Sequence, residues 1–372
     1  MRNLHTRRLP AALAITVPLV AASSGVSTAA SPGVSTGVST AASPGVSAGV
    51  SAGVASAATP YVHRSESAGA RVGSTARPPE SAVTPTGSYV RPVGSVAVRA
   101  NVRVAPSVSR ALRALEAAFD GRIGAYAVDT ATGRTVVYRS RERFPLLSTF
   151  KAMACAAVLH KARTSEPGLM SKVVRWSAAE VKPNSPVTAK YVKQGLSVAR
   201  LCEAAITLSD NTAGNMLLKQ IGGPSGLTRY LRTLKDSASR LDRWETELND
   251  WSPGERRDTT TPAAMARGLR AVTVGTALHA KDRDRLNAWL VATETGEARI
   301  KAGLPSSWVV GHKTGTGGVY GTAHDVAVVW PDRTSAPIIM AIFTNRKASG
   351  ADADEKIIAR TATILARGLG RL

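Results

Sequence analysis

The chain predicts an α/β (α+β) fold of two lobes. Strand-like alternation appears early in the globular part and again near its end, and the stretch between has a helical period. The first hundred residues, in contrast, lack any core-forming pattern. Strands drawn from both ends around a helical middle imply a sheet lobe built by both termini, with an all-helical lobe inserted into it. The cleft between such lobes is a natural place for a site.

Met1 to Ala30 reads as an export signal. Arg2, Arg7 and Arg8 precede an apolar run, Leu9 to Ala22, followed by small residues. Pro10 and Pro18 interrupt the run, which is too short for a membrane span, and no cysteine follows that could carry a lipid anchor. A dodecamer begins at Val26 and recurs almost unchanged from Val38 to Gly49. Its Ser, Gly, Ala, Thr and Pro cannot bury a core, so residues 31–105 read as a low-complexity tether.

Residues 106–372 form the folded part, divided into a sheet lobe of 106–143 with 292–372 and a helical lobe of 144–291. Ser107 to Phe119 places Val108, Leu112, Leu115 and Phe119 on one helical face. Two strands follow, Arg122 to Val128 and Arg134 to Arg139, joined by Asp129-Thr-Ala-Thr-Gly133. From Ser148 to Met265 the period is helical and strands are absent. Strand patterns resume at Trp308 to Thr314, Asp325 to Trp330 and Ile338 to Thr344, and Asp352 to Leu369 is a closing helix.

The net charge is +22; nine Arg against two Glu put +7 before residue 106 and leave +15 on the folded part. The bases are spread without interleaved aromatics, which reads as a solvated basic surface with no nucleic-acid partner. The six His are scattered, so no metal set and no cofactor are expected. In an exported chain the pair Cys155 and Cys202 suggests a disulfide, which would stabilise by about 4 kcal/mol on the chain-entropy account. Two buried free thiols are the alternative.

Four short segments carry chemistry. Ser148-Thr149-Phe150-Lys151 sets a hydroxyl and an amine three residues apart on a helix, where one faces the other. A serine needs a proton acceptor to attack a carbonyl, and a nearby amine can serve. Ser209-Asp210-Asn211 ends the helix Val198 to Leu208 and offers a second hydroxyl, able to relay a proton, and an amide for a substrate amide. Lys313-Thr314-Gly315 lies on a strand, with a cation and a hydroxyl for a carboxylate and a glycine that permits close approach. Arg243-Trp-Glu-Thr-Glu-Leu-Asn249 adds a carboxylate and an amide four residues apart.

Taken together, these segments resemble the class A serine β-lactamases over about Pro106 to Leu372, and the handful of motifs is that family's signature. The resemblance implies an antiparallel sheet flanked by terminal helices, with the inserted helical lobe. It implies Ser148 as the acylated nucleophile and Lys151 as its amine partner, with an oxyanion hole from the backbone N–H groups of Ser148 and Thr316. Glu245 and Asn249 would hold the hydrolytic water, Glu245 as general base. Arg243 and Asp258 match the pair that closes this Ω-loop, and Arg299 matches an arginine that some members use to bind the substrate carboxylate. Cys155 and Cys202 fall where some members have a disulfide.

The pattern also departs from the family. Asn184-Ser-Pro-Val-Thr188 matches a cleft loop whose first position is usually aromatic, and Thr322 lies near the place where many members carry an arginine. The expectation is an exported monomer, without a membrane anchor, that hydrolyses β-lactam antibiotics and so confers resistance. A peptidoglycan D,D-peptidase shares the first three motifs but lacks the organised deacylating glutamate. A non-catalytic wall-associated module is the third reading, and it has no need of Ser148, Lys151, Glu245 and Lys313 together.

Overall fold

The computed structural model describes residues 106–332 and 336–372. The export signal and the repeat tether expected from the sequence lie outside the described residues. The helix α1 (Pro106–Phe119) leads into β1 (Gly121–Asp129) and β2 (Thr135–Tyr138). Short strands β3 (Phe144–Pro145), β4 (Val173–Val174), β5 (Leu196–Ser197) and β6 (Thr259–Thr260) punctuate the middle of the chain. The helices there are α2 (Phe150–Thr164), α3 (Val198–Thr207), α4 (Asn211–Gln220), α5 (Gly223–Thr233), α6 (Pro262–Thr273) and α7 (Ala280–Val291). Then β7 (Val309–Thr316), β8 (Ala323–Trp330), β9 (Ile338–Arg346) and α8 (Glu355–Gly368) close the fold.

The main sheet has the order β2-β1-β9-β8-β7, and every pairing in it is antiparallel. β1 lies against β9 from Gly121↔Arg346 to Asp129↔Ile338, so the two ends of the folded part are stitched together along nine residue pairs. One face of the sheet packs on α1 and α8 through Leu115, Phe119, Ile357, Ile358 and Leu365. Burying each such side chain contributes roughly 1.5–3 kcal/mol. The other face, with Val326, Val328, Ile339 and Phe343, shares a core with the inserted helices.

The helix α2 is buried from Phe150 to Leu159 without a break. A helix apolar all round belongs at the centre of a lobe, and small Ala152, Ala154, Ala156 and Ala157 let its neighbours approach. This rigid axis carries Lys151. Strands are not absent from the middle segment, as the sequence had suggested: β3 pairs with β6 and β4 with β5. Two-residue strands are too short to show any alternation, so only tertiary context specifies them. The β3–β6 ladder joins the chain just before Ser148 to the end of the loop that bears Glu245.

Candidate active site

The nucleophile sits on a one-turn 3-10 helix, Leu147–Thr149, that runs directly into α2. Lys151 therefore lies one turn from Ser148, with Nζ 2.8 Å from Ser148 Oγ. The Lys151 ammonium is fully buried and reaches three further oxygens: Ser209 O at 2.8 Å, Asn211 Oδ1 at 2.6 Å and Glu245 Oε1 at 3.0 Å. Burial lowers the Lys151 pKa below the usual lysine range, and the neighbouring Glu245 carboxylate opposes this. Gly214 makes room for the amine, since a Cβ there would lie 2.9 Å from Lys151 Cε.

Asp210 explains why Ser209 and Asn211 face the cleft. It caps α4 by accepting from Ala213 N, and its carboxylate also holds Val187 N, Thr188 N and Thr188 Oγ1. Ser209 adopts φ 57° at this corner, and its hydroxyl accepts from Lys313 Nζ at 3.0 Å. Asn211 donates from Nδ2 to Pro183 O at 2.9 Å, which leaves one amide proton for a substrate. Asn184 lines the cleft in the left-handed region (φ 54°), a conformation asparagine tolerates better than an aromatic would.

The loop bearing Glu245 is pinned at both ends. Asp258 pairs with Arg243 Nε at 2.6 Å and accepts the backbone N–H groups of Asp242 and Arg243. Asp242 Oδ2 accepts in turn from Asp258 N, and Asp258 O accepts from Leu146 N beside the nucleophile. Within the loop, Glu245 is fully buried, 3.4 Å from Ser148 Oγ, and Asn249 Nδ2 donates to its Oε2 at 2.8 Å. The Glu245–Thr246 peptide is cis.

Sequence reasoning missed one residue here. Asn215 on α4 brackets the Glu245 peptide, accepting from its N–H and donating to its C=O, both at 2.9 Å. The only signal was a position one helical turn beyond Asn211 on the same face, which many residues could share.

On the sheet side, Lys313 is fully buried and donates to Ser209 Oγ and Thr314 O. Burial first, then the charges of Lys151 and Arg299, push Lys313 well below the ordinary lysine value; Asp325 and Glu245 oppose them. Gly315 lets β7 pass beside the nucleophile turn, because a Cβ would sit 3.0 Å from Leu147 Cβ and 3.4 Å from Ser148 N. Arg299 is brought to the cleft, yet its five N–H groups are all taken by Glu355, Gly315 O, His324 O and Thr316 Oγ1. Its reach to a ligand therefore runs through Thr316. Cys155 on α2 and Cys202 on α3 are neighbours in the core. Both are buried free thiols in this structure, with Cys155 Sγ donating to Cys202 O at 3.7 Å, so the disulfide is not formed here. Burial and the adjacent Cys202 push the Cys155 thiol far above its usual pKa.

The segments thus converge on one cleft of about 460 Å³, lined by Ser148, Ser209, Asn249, Thr314, Thr316 and Arg299 among others. It presents a nucleophile beside two buried amines and one buried carboxylate, the equipment for acyl transfer through a serine ester. Among the described residues no group of side chains could hold a metal ion.

The family described as the beta-lactamase enzyme family matches residues 107–369. The β-lactamase AST-1 of Nocardia asteroides is 51% identical over 256 residues, 69% of this chain and 82% of that protein. A crystal structure of the β-lactamase from Streptosporangium roseum is 69% identical with a TM-score of 0.72, covering 72% of this chain and all of that one. A variant of the class A β-lactamase of the last common ancestor of Gram-negative bacteria is 47% identical, with a TM-score of 0.67 over 71% of this chain and 98% of its own. The chain belongs to the β-lactamase enzyme family, class A, and is a hydrolase acting on β-lactams.

Proposed function

We propose that Ser148 opens the β-lactam ring to an acyl-enzyme and that a water activated by Glu245 then releases the product. The attacking Ser148 Oγ bonds to the lactam carbonyl carbon as its proton passes to the Lys151–Glu245 pair. The C–N bond breaks while Ser209 supplies a proton to the leaving nitrogen, drawing on Lys313 behind it. The backbone N–H groups of Ser148 and Thr316 receive the oxyanion, and each such donor lowers the barrier by a few kcal/mol. Asn211 holds the acylamide, while Lys313, Thr314 and Thr316, the last braced by Arg299, receive the carboxylate. In the second half-reaction Glu245 takes the proton of a water that Asn249 Oδ1, a buried acceptor without a partner among the described residues, helps to hold.

The observation that carries this reading is a single buried carboxylate, Glu245, within 3.4 Å of Ser148 Oγ and 3.0 Å of Lys151 Nζ, on a loop closed by Arg243–Asp258. It favours hydrolysis over a D,D-peptidase, which needs no such base. The enzyme works as a monomer exported by the Met1–Ala30 segment, which supplies the basic and apolar parts of a signal. The test follows a chromogenic β-lactam beside intact-mass spectra. The wild type should turn over without a lasting adduct, Ser148→Ala should show neither turnover nor adduct, and Glu245→Gln should accumulate the acyl-enzyme. A wild-type adduct that persists for hours would instead support the peptidase.

A further inference from the structure

The wall of the cleft that receives the carboxylate rests on a buried pair outside all four motifs. His312, next to Lys313 on β7, and Asp325 on β8 are 1% and 0% exposed. His312 Nδ1 lies 3.0 and 3.1 Å from the two Asp325 oxygens, and facing a carboxylate that nitrogen carries the proton. Asp325 Oδ2 also accepts from Ile300 N at 3.1 Å, and the His312 carbonyl accepts from Thr293 Oγ1 at 2.7 Å. Gly296 closes the packing: a Cβ there would lie 2.4 Å from Thr314 Cγ2 and 3.4 Å from His312 Cε1.

Residues 293–300 are therefore seated on this pair, and two cleft-lining side chains depend on that seat. Thr295 Oγ1 shares a 2.7 Å hydrogen bond with Thr314 Oγ1. Arg299, one residue before Ile300, grips Gly315 O and Thr316 Oγ1. A buried carboxylate is held in place only when its lone pairs are satisfied, and His312 and Ile300 N together do this for Asp325. Asp325 also stands among the negative charges that offset the burial of Lys313, whose own hydrogen bonds go to a hydroxyl and a carbonyl.

We propose that His312 and Asp325 are positioning residues for recognition of the substrate carboxylate. They keep the 293–300 segment, and with it Thr314, Thr316 and Arg299, in register with Lys313, without taking part in acyl transfer. This rests on the carboxylate reading of Lys313, Thr314 and Thr316 given above.

The test compares a chromogenic β-lactam bearing a free carboxylate with its methyl ester, on the full chain, with circular dichroism as the folding control. His312→Leu and Asp325→Asn should raise KM for the acid at least tenfold with kcat within threefold, and leave both constants for the ester within twofold. His312→Asn, which can still donate to Asp325, should recover most of the acid's KM. Should His312→Leu fail to fold, the near-isosteric Asp325→Asn decides alone. Equal losses for acid and ester, or an unchanged KM for the acid, would overturn the proposal. Lys313→Ala separates the two layers. Its kcat falls for both substrates through the proton supply to Ser209, so the readout is the acid-to-ester KM ratio. If that ratio shifts while the pair's does not, only this inference fails; if it does not shift, the carboxylate reading itself falls.

Discussion

Buried polar side chains in this enzyme are placed by the number of partners each can satisfy. Lys151 has three protons and four oxygens within 3.0 Å: its hydrogen bonds go to Ser148, Ser209 O and Asn211, and Glu245 completes the shell as an ion pair. His324 is the opposite case. It is fully buried against Phe343, its Nδ1 accepts from Thr344 N at 3.2 Å, and its Nε2 has no partner among the described residues. Burial pushes its pKa down to about 3. An unfolded chain binds this proton near pH ~6.5. Between those values the unfolded state holds more protons, so stability falls as pH falls, by up to ~1.4 kcal/mol per pH unit. The substitution His324→Asn should flatten the loss of urea-unfolding stability from pH 6 to pH 4 by close to one proton's worth. An unchanged slope would assign the acid sensitivity to other groups.

At the scale of elements, the Ω-loop is a carboxylate holder whose geometry depends on its fastenings. Asp258 is 1% exposed and makes the closing contacts to Arg243, so loss of its charge leaves the guanidinium under-compensated. Asp258→Asn should cost roughly 1–3 kcal/mol in urea unfolding. In stopped-flow traces it should convert steady turnover into a burst followed by a phase at least tenfold slower, because deacylation suffers before acylation. A kcat within twofold of wild type would rule this out. Much of this element was legible beforehand, because Arg243, Glu245, Asn249 and Asp258 match the family's Ω-loop and so carry the roles the resemblance implies. Asn215 was not, because its partner is the backbone of a residue thirty positions away, and a backbone group leaves no mark on composition or spacing. His312 and Asp325 were hidden for a similar reason, as their contact arises from strand register. Arg299 was found, but saturation of its donors by Glu355, two carbonyls and Thr316 could only be seen once the strands were paired.

At the scale of the whole molecule, the two lobes were readable from where strand and helix periods change. The short ladders were not, and neither was the way α6 packs its Met265 and Leu269 into the core shared with the sheet. The cysteines pose the remaining question about the molecule as a unit. We propose that under oxidising conditions Cys155 closes to Cys202, bracing α2 against α3. Maleimide should then fail to label either residue in urea until a reductant is added, and reduction should lower the unfolding free energy by about 4 kcal/mol. Labelling of both thiols without reductant would show that the free-thiol state persists. The long β1–β9 seam has a different consequence, one of timing. β1 emerges early in synthesis but has only β2 beside it until residues 338–346 arrive, and β8 and β7 reach β1 only through β9. β7, with Lys313, meets the Ser148 turn directly, but its place in the sheet is fixed only when β9, the last strand made, bridges β8 to β1. A nascent chain therefore cannot close the sheet behind its β-lactam site until that strand is released.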